Sequence, residues 1–310
     1  MKALVTGVAG FIGSHLAGAL LDRGASVTGV DCFTDYYARP VKAANLTTVQ
    51  NRPGFRFVEA ALQDSDLKQL LTGVTHVFHL AGQPGVRKSW GADFDVYTRD
   101  NIQATQRLLE SMAGMPIQKY VYSSSSSVYG DHVALPMRED AYLQPVSPYG
   151  VTKLAAEHLG NLYLANHAVP VVSLRYFTVY GPRQRPDMAF QRFLTAVRDG
   201  QSITVYGDGE QTRDFTFVSD IVAANLAAAE RGVPGSVYNI GGGSRVTLNH
   251  VLELIGKVTG KPVAVRREPK QKGDMRHTYA DTSAARRDLD FTPQVTLEHG
   301  LDRQYRWLTR

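Results

Sequence analysis

The chain has 310 residues, 43% hydrophobic and 20% charged, with a formal net charge of +5. That is the make-up of a globular protein with length for one large core or two lobes, and it excludes a fibrous or disordered chain. The basic residues form no block. Their densest spots are Arg266-Arg267 and Lys270-Gln271-Lys272, so a small anionic substrate accounts for the charge better than nucleic acid does. No apolar run reaches membrane-spanning length, and residues 1 to 20 read as a strand and helix instead of a signal peptide. The single cysteine, Cys32, allows no internal disulfide and no cysteine metal cluster, and the expectation is a cytoplasmic protein.

Lys2 to Thr6 predict a first strand, and Leu16 to Leu21 continue at helical spacing. Between them Gly7, Gly10 and Gly13 occupy a strand-to-helix turn. Gly7 can take the angles of a tight turn, Gly10 leaves room for a pyrophosphate, and Gly13 lets the helix close on the strand. Helix N–H groups would then face the pyrophosphate. The spacing is Gly-x-x-Gly-x-x-Gly, and Asp31 ends the next strand, 26–31, where a carboxylate meets the adenosine ribose. An Asp there repels a 2′-phosphate, which selects NAD over NADP.

Alternation continues, with strands at 55–59, 76–79, 118–123 and 171–175 and helices at 12–23, 40–51, 65–72, 95–113 and 149–167. The pattern predicts an α/β fold, a Rossmann-type doubly wound parallel sheet. Past residue 178 Gly and Pro punctuate the chain, as in Gly181-Pro182 and Gly241-Gly242-Gly243. This predicts an NAD-binding domain over 1–177 and a smaller C-terminal substrate-binding lobe over 178–310. A segment near 215–240, ending in the strand Ser236 to Ile240, returns to the main sheet.

Ser147 can cap a helix, Pro148 suits its first position, and Tyr149 and Lys153 then share a face. A nearby ammonium, the helix N-terminus and an oxidised nicotinamide all favour the phenolate of a tyrosine there. Such a base can take a hydroxyl proton near neutral pH. The run Ser123-Ser124-Ser125-Ser126-Ser127 follows a strand and is closed by Val128 and Tyr129, so its hydroxyls are fixed donors and acceptors and not a linker.

These motifs together resemble the extended short-chain dehydrogenase/reductases, the NAD-dependent sugar-nucleotide epimerase/dehydratase group, from end to end. The matching residues are Gly7, Gly10, Gly13, Asp31, His79-Leu80-Ala81-Gly82, Asn101, the serine run, Tyr149 and Lys153. Arg175-Tyr176-Phe177-Thr178-Val179-Tyr180-Gly181-Pro182, Arg213-Asp214-Phe215 and Gly273-Asp274 follow in family order. The resemblance implies that Tyr149 is the base, that Lys153 holds the nicotinamide ribose, and that Ser125 bonds the reacting hydroxyl. It implies NAD bound by Gly7, Gly10, Phe11, Ile12, Gly13, Asp31, Leu62, Leu80, Ala81, Gly82, Asn101, Ser123, Tyr149, Lys153 and Tyr176, with no metal. Arg213 and Arg276 are its candidates for the nucleotide diphosphate. It also implies a homodimer through the helices near 95–113 and 149–167. One position departs: an Asp usual near the adenine is here Ala61, followed by Leu62, which leaves the adenine to backbone and packing.

Within the group, 4,6-dehydratases resemble Thr-Asp-Glu before Val-Tyr-Gly, because eliminating water requires an acid and a base. Here the last two places are Ser126 and Ser127, which points to a 4-epimerase. Asp35-Tyr36-Tyr37, Gly85-Val86-Arg87 and Arg183 to Ala189 look more like the UDP-glucuronate 4-epimerases than the UDP-galactose enzymes. Ser126, Ser127 and Thr178 could cradle a C6 carboxylate, with Arg185 either its charge partner or a solvated surface arginine. Arg87 and Arg192 complete the substrate candidates. The alternatives are a UDP-glucose 4-epimerase and a non-catalytic NAD(H)-binding regulator; the intact Ser125, Tyr149 and Lys153 argue against the regulator.

Overall fold

The computed structural model describes residues 1–269 and 275–310. Lys270-Gln271-Lys272 and Gly273-Asp274 lie outside the described residues. Strand and helix alternate as β1 (Lys2–Thr6), α1 (Phe11–Asp22), β2 (Ser26–Asp31), α2 (Arg39–Thr47), β3 (Phe55–Glu59), α3 (Leu67–Leu71) and β4 (His76–His79). Next come α4 (Phe94–Tyr97), α5 (Ala104–Met112), β5 (Lys119–Ser125), α6 (Pro148–His167) and β6 (Val171–Tyr176). The rest comprises β7 (Val179–Tyr180), α7 (Ala189–Arg198), β8 (Ile203–Tyr206), β9 (Thr212–Asp214), β10 (Thr216–Phe217), α8 (Val218–Arg231) and β11 (Val237–Ile240). It closes with β12 (Arg245–Thr247), α9 (Leu248–Thr259), β13 (Val265–Glu268), α10 (Ser283–Leu289) and α11 (Leu297–Leu308).

Seven parallel strands in the order β11-β6-β5-β4-β1-β2-β3 form the central sheet. Their side chains alternate between two cores, as a pleated strand buried on both faces requires. Ala3 and Val5 of β1 point into one core with Phe78 and Val172, while Leu4 joins Val77, Tyr120 and Val171 in the other. Helices α1 and α8 pack together on the first side and α5 with α6 on the second. Strand order reverses between β1 and β4, and open α/β sheets bind ligands at the carboxyl ends of the strands flanking such a point.

Two helices differ from the sequence expectation. The one expected at 95–113 is broken by a π-helical turn, Thr98–Gln103, between α4 and α5. That turn presents Asn101 inward, where its side chain bonds Gln83 and Thr152. The helix expected at 40–51 stops at Thr47, and Thr48 turns its hydroxyl back onto the Asn45 carbonyl at 2.7 Å. The strand expected at Ser236 to Ile240 is β11, paired with β6 from Val237↔Ser173 to Ile240↔Tyr176. No helix among the described residues is long and apolar enough to cross a membrane.

Candidate active site

The first wall of the site is the turn after β1. Gly7 sits at φ +71°, and a Cβ there would lie 2.8 Å from the Ala81 backbone nitrogen. On Gly13 a Cβ would come within 2.2 Å of the Gly7 carbonyl oxygen, so only glycine lets α1 start this close to β1. The residue before α1 is Gly10, and no side chain caps the helix, which leaves its first-turn N–H groups to serve an anion. Asp31, at the end of β2, accepts from Ala9 N at 3.0 Å and Phe33 N at 2.8 Å. Burial raises its pKa, opposed by these bonds and by Lys42. Both the glycine cradle and this fixed carboxylate fit a dinucleotide.

A cavity runs along this turn past Leu80, Ala81 and Gly82 to Ser123, Tyr149, Lys153 and Tyr176. Phe11, Ile12 and Leu62 also line it. Asn101 stands behind this wall, 2% exposed. Its Oδ1 accepts from Gln83 N at 2.6 Å, and its Nδ2 donates to the Gln83 carbonyl at 3.0 Å and to Thr152 Oγ1 at 2.9 Å. Its place is therefore that of a brace for the loop after β4, set by the inward π turn, and not that of a cavity residue.

At the far end of the cavity, Ser147 Oγ caps α6 by accepting from Gly150 N at 3.1 Å, with Pro148 in the first turn. This places Tyr149 one turn before Lys153. A Cβ on Gly150 would lie 2.4 Å from the Ser127 carbonyl oxygen, so glycine allows the helix start to lean on the serine run. Tyr149 and Ser125 line the second cavity together, and Lys153 Nζ donates to the Ser123 carbonyl at 2.9 Å. Burial raises the Tyr149 pKa, opposed by the Ser125 hydroxyl and the Arg185 guanidinium. For Lys153 burial pushes the pKa down to about 8, against the upward pull of Glu157. In the chain itself desolvation thus outweighs the groups expected to favour the phenolate. The remaining contribution in that reading is the cationic nicotinamide.

Ser125, Ser126 and Ser127 open onto a second cavity of about 610 Å³, bounded also by Thr178, Arg87, Arg192 and Arg213. That volume suits a small-molecule ligand. The two cavities meet at Tyr149, Ser124, Tyr176 and Arg185. Arg185 is no solvated surface group: its side chain is 20% exposed, it pairs with Asp187 at 3.0 Å, and it lies 5.6 Å from the Tyr36 ring centroid. Arg87 lies over the Tyr206 ring, 4.6 Å from its centroid. Arg213 donates to the carbonyls of Thr212 and Arg276 at 2.9 and 3.1 Å. Arg276 itself stands off the wall, its side chain 47% exposed and paired with Asp208 at 3.0 Å.

Of the further groups on these walls, Tyr36 belongs to a motif already noted, while Lys42, Asp100 and Gln63 escape a reading of the sequence by motif. Tyr36 reaches across to Asp187 at 3.2 Å. Lys42 donates to Thr34 Oγ1 at 3.0 Å beside Asp31. Asp100 and Gln63 meet at the far end of the first cavity. Behind the serine run, Glu157 and Arg175 form a two-pronged ion pair at 2.8 and 3.0 Å, and Ser124 donates to Glu157. The signal for that pair is Glu157 following Lys153 by one helical turn, on the same face.

A doubly wound sheet whose glycine turn and backbone-held carboxylate at the end of β2 open into a cavity ending at Ser123, Tyr149 and Lys153 defines a dinucleotide-dependent enzyme of the short-chain dehydrogenase/reductase type. Residues 3–241 match the model of the NAD dependent epimerase/dehydratase family, and the chain belongs to that family. An uncharacterized UDP-glucose epimerase of Bacillus subtilis is 43% identical, over 100% of this chain and 98% of that protein. The UDP-glucuronate 4-epimerase of Thermodesulfobacterium geofontis is 35% identical, over 98% of this chain and 95% of its own. The crystal structure of UDP-glucuronic acid 4-epimerase from Bacillus cereus, in complex with UDP-glucuronic acid and NAD, superposes with a TM-score of 0.97. It shares 41% identity and covers 100% of this chain and 99% of that one.

Proposed function

We propose that this protein is an NAD-dependent 4-epimerase converting UDP-glucuronate to UDP-galacturonate. The observation that carries the reading is the junction of the cavities. Tyr149 and Ser125 stand together there, Ser126 and Ser127 occupy the places where a dehydratase needs carboxylates, and Thr178 lines the same cavity. Similarity over the full length to two proteins named for this activity supports it.

In this mechanism Tyr149 takes the proton of the C4 hydroxyl while Ser125 holds the oxygen, and Lys153, desolvated on the Ser123 carbonyl, orients the cofactor ribose. When bound, NAD takes up the C4 hydrogen with its electron pair and returns it. The 4-keto sugar turns about its phosphate linkage within the 610 Å³ cavity, so that the hydrogen would return to the other face of C4, and Tyr149 gives the proton back to the C4 oxygen. The nucleotide stays anchored against Arg192 and Arg213. A 4-keto uronate is a β-keto acid and loses carbon dioxide when its carboxylate bond lines up with the carbonyl π-system. Hydrogen bonds from Ser126, Ser127 and Thr178 hold it out of that alignment, with Arg185 as the nearby cation.

Incubation with UDP-glucuronate, and separately with UDP-glucose, followed by NMR and mass spectrometry, tests the reading. The expected result is a product of unchanged mass with the galacto C4 proton coupling, from UDP-glucuronate. Turnover of UDP-glucose alone moves the protein to the hexose enzymes. Thr178→Val and Ser127→Ala are each expected to release more UDP-keto-pentose than the parent; equal amounts would discard the carboxylate cradle.

The protein is further read as a cytoplasmic homodimer joined through α5 and α6. The support is that α6, despite lying against the sheet, exposes Val151 and Leu162 at 48% and 57%.

A further inference from the structure

Beyond Asp31 the first cavity ends in a polar group that the glycine turn does not account for. Position 61, where the resemblance places a carboxylate, is alanine. A different carboxylate lines that end: Asp100, 9% exposed, on the cavity wall with Leu62, Gln63 and Ala104. It is carried by the π-helical turn Thr98–Gln103, and such widened turns concentrate at functional sites. Asp31, at the end of β2, lines the same cavity. The thiol of Cys32, next after Asp31, is raised first by burial and then by both Asp31 and Asp100.

The Asp100 carboxylate is fixed. Gln63 Nε2 donates to its Oδ1 at 2.9 Å, Arg99 Nε to the same oxygen at 2.8 Å, and Arg99 Nη2 to Oδ2 at 3.2 Å. Gln63 is steadied in turn, because its amide also donates to the Arg99 carbonyl at 3.0 Å. A carboxylate has about four acceptor positions, and these bonds use three. One position on Oδ2 is left for a donor entering the cavity, while Arg99 balances the charge.

We propose that Asp100, held by Gln63 and Arg99, recognises the exocyclic amino group of the cofactor's adenine in place of the carboxylate missing at position 61. This rests on the NAD reading above. An ionised carboxylate only accepts hydrogen bonds, so it welcomes the amino group of adenine and opposes the carbonyl oxygen that hypoxanthine carries at the same carbon. Asp100→Asn keeps the shape and adds an N–H₂ donor suited to that carbonyl.

The test is competition between NAD and nicotinamide hypoxanthine dinucleotide, which differ only in the base. The whole protein is equilibrated with an equimolar excess of both, freed of unbound ligand, and the released nucleotides are quantified by chromatography. The parent is expected to favour NAD by about ten- to a hundredfold, the range of a hydrogen bond to a charged group. Asp100→Asn is expected to lose or invert that preference, and Ala61→Asp in the Asp100→Asn background to restore it. An unchanged preference in Asp100→Asn, with its circular dichroism spectrum intact, overturns the assignment. Binding of neither dinucleotide by the parent overturns the NAD reading and this inference with it. Parent binding of NAD without discrimination overturns the inference alone.

Discussion

Replacing Tyr149 with phenylalanine is expected to lower kcat on the nucleotide sugar by about 10² to 10⁴-fold, the usual contribution of a positioned acid–base group. The ring still packs edge-on against Tyr97, whose centroid is 6.3 Å away, so the KM for the sugar and the amount of bound dinucleotide should hardly change. Only the proton acceptor is gone. The parent's kcat should rise with pH as the phenol ionises, since burial raises its pKa and the reactive form is the deprotonated one. Ser125→Ala removes a hydroxyl that lowers that pKa, so this limb should move to higher pH. Steady-state kinetics across pH checks both. A Tyr149→Phe protein that keeps the parent kcat would remove this residue from the chemistry.

The second large effect is on stability. Arg175→Met is expected to cost about 3–5 kcal/mol, because it leaves the Glu157 carboxylate buried without its counter-ion. The two side chains are 3% and 4% exposed. Arg175 also donates to Tyr129 Oη at 2.9 Å and to the Glu139 carbonyl at 3.2 Å, and Tyr129 passes a bond to Asn239 at 2.7 Å. One guanidinium thus ties together α6, β6, the loop after β5 and β11. Against a typical total of about 5–15 kcal/mol the loss is large, and urea unfolding should show a clearly lower midpoint. Adding Glu157→Leu to Arg175→Met should recover much of it, since an apolar replacement of both partners removes the unpaired charge. If Arg175→Met unfolds at the parent midpoint, the pair contributes nothing to folding.

Whatever depends on spacing along one element is legible in the amino-acid order. Gly7, Gly10 and Gly13 declare a turn because no other residue fits beneath the Gly7 carbonyl and the Ala81 backbone. Asp31 is legible as the end of an apolar strand, and Ser147, Pro148, Tyr149 and Lys153 as the start of one helix. Short apolar runs separated by stretches of helical spacing give the parallel sheet its strands. Even β11 was legible, as a short apolar strand between glycines.

Contacts between elements distant in sequence emerge only in the folded chain. Arg185 reads as surface or site with equal right from its neighbours, and becomes a site residue because the loop after β7 folds over Tyr36 and Tyr149. Arg276, a candidate by resemblance, pairs with Asp208 at 3.0 Å and does not line the cavity. Asn101 is a brace because a π turn, invisible to a 3.6-residue period, rotates it behind Gln83. Asp100 meets Gln63 across 37 positions of the chain. No local pattern can announce such a pair, since its energy depends on desolvation and approach, which exist only once the sheet has brought the two loops together.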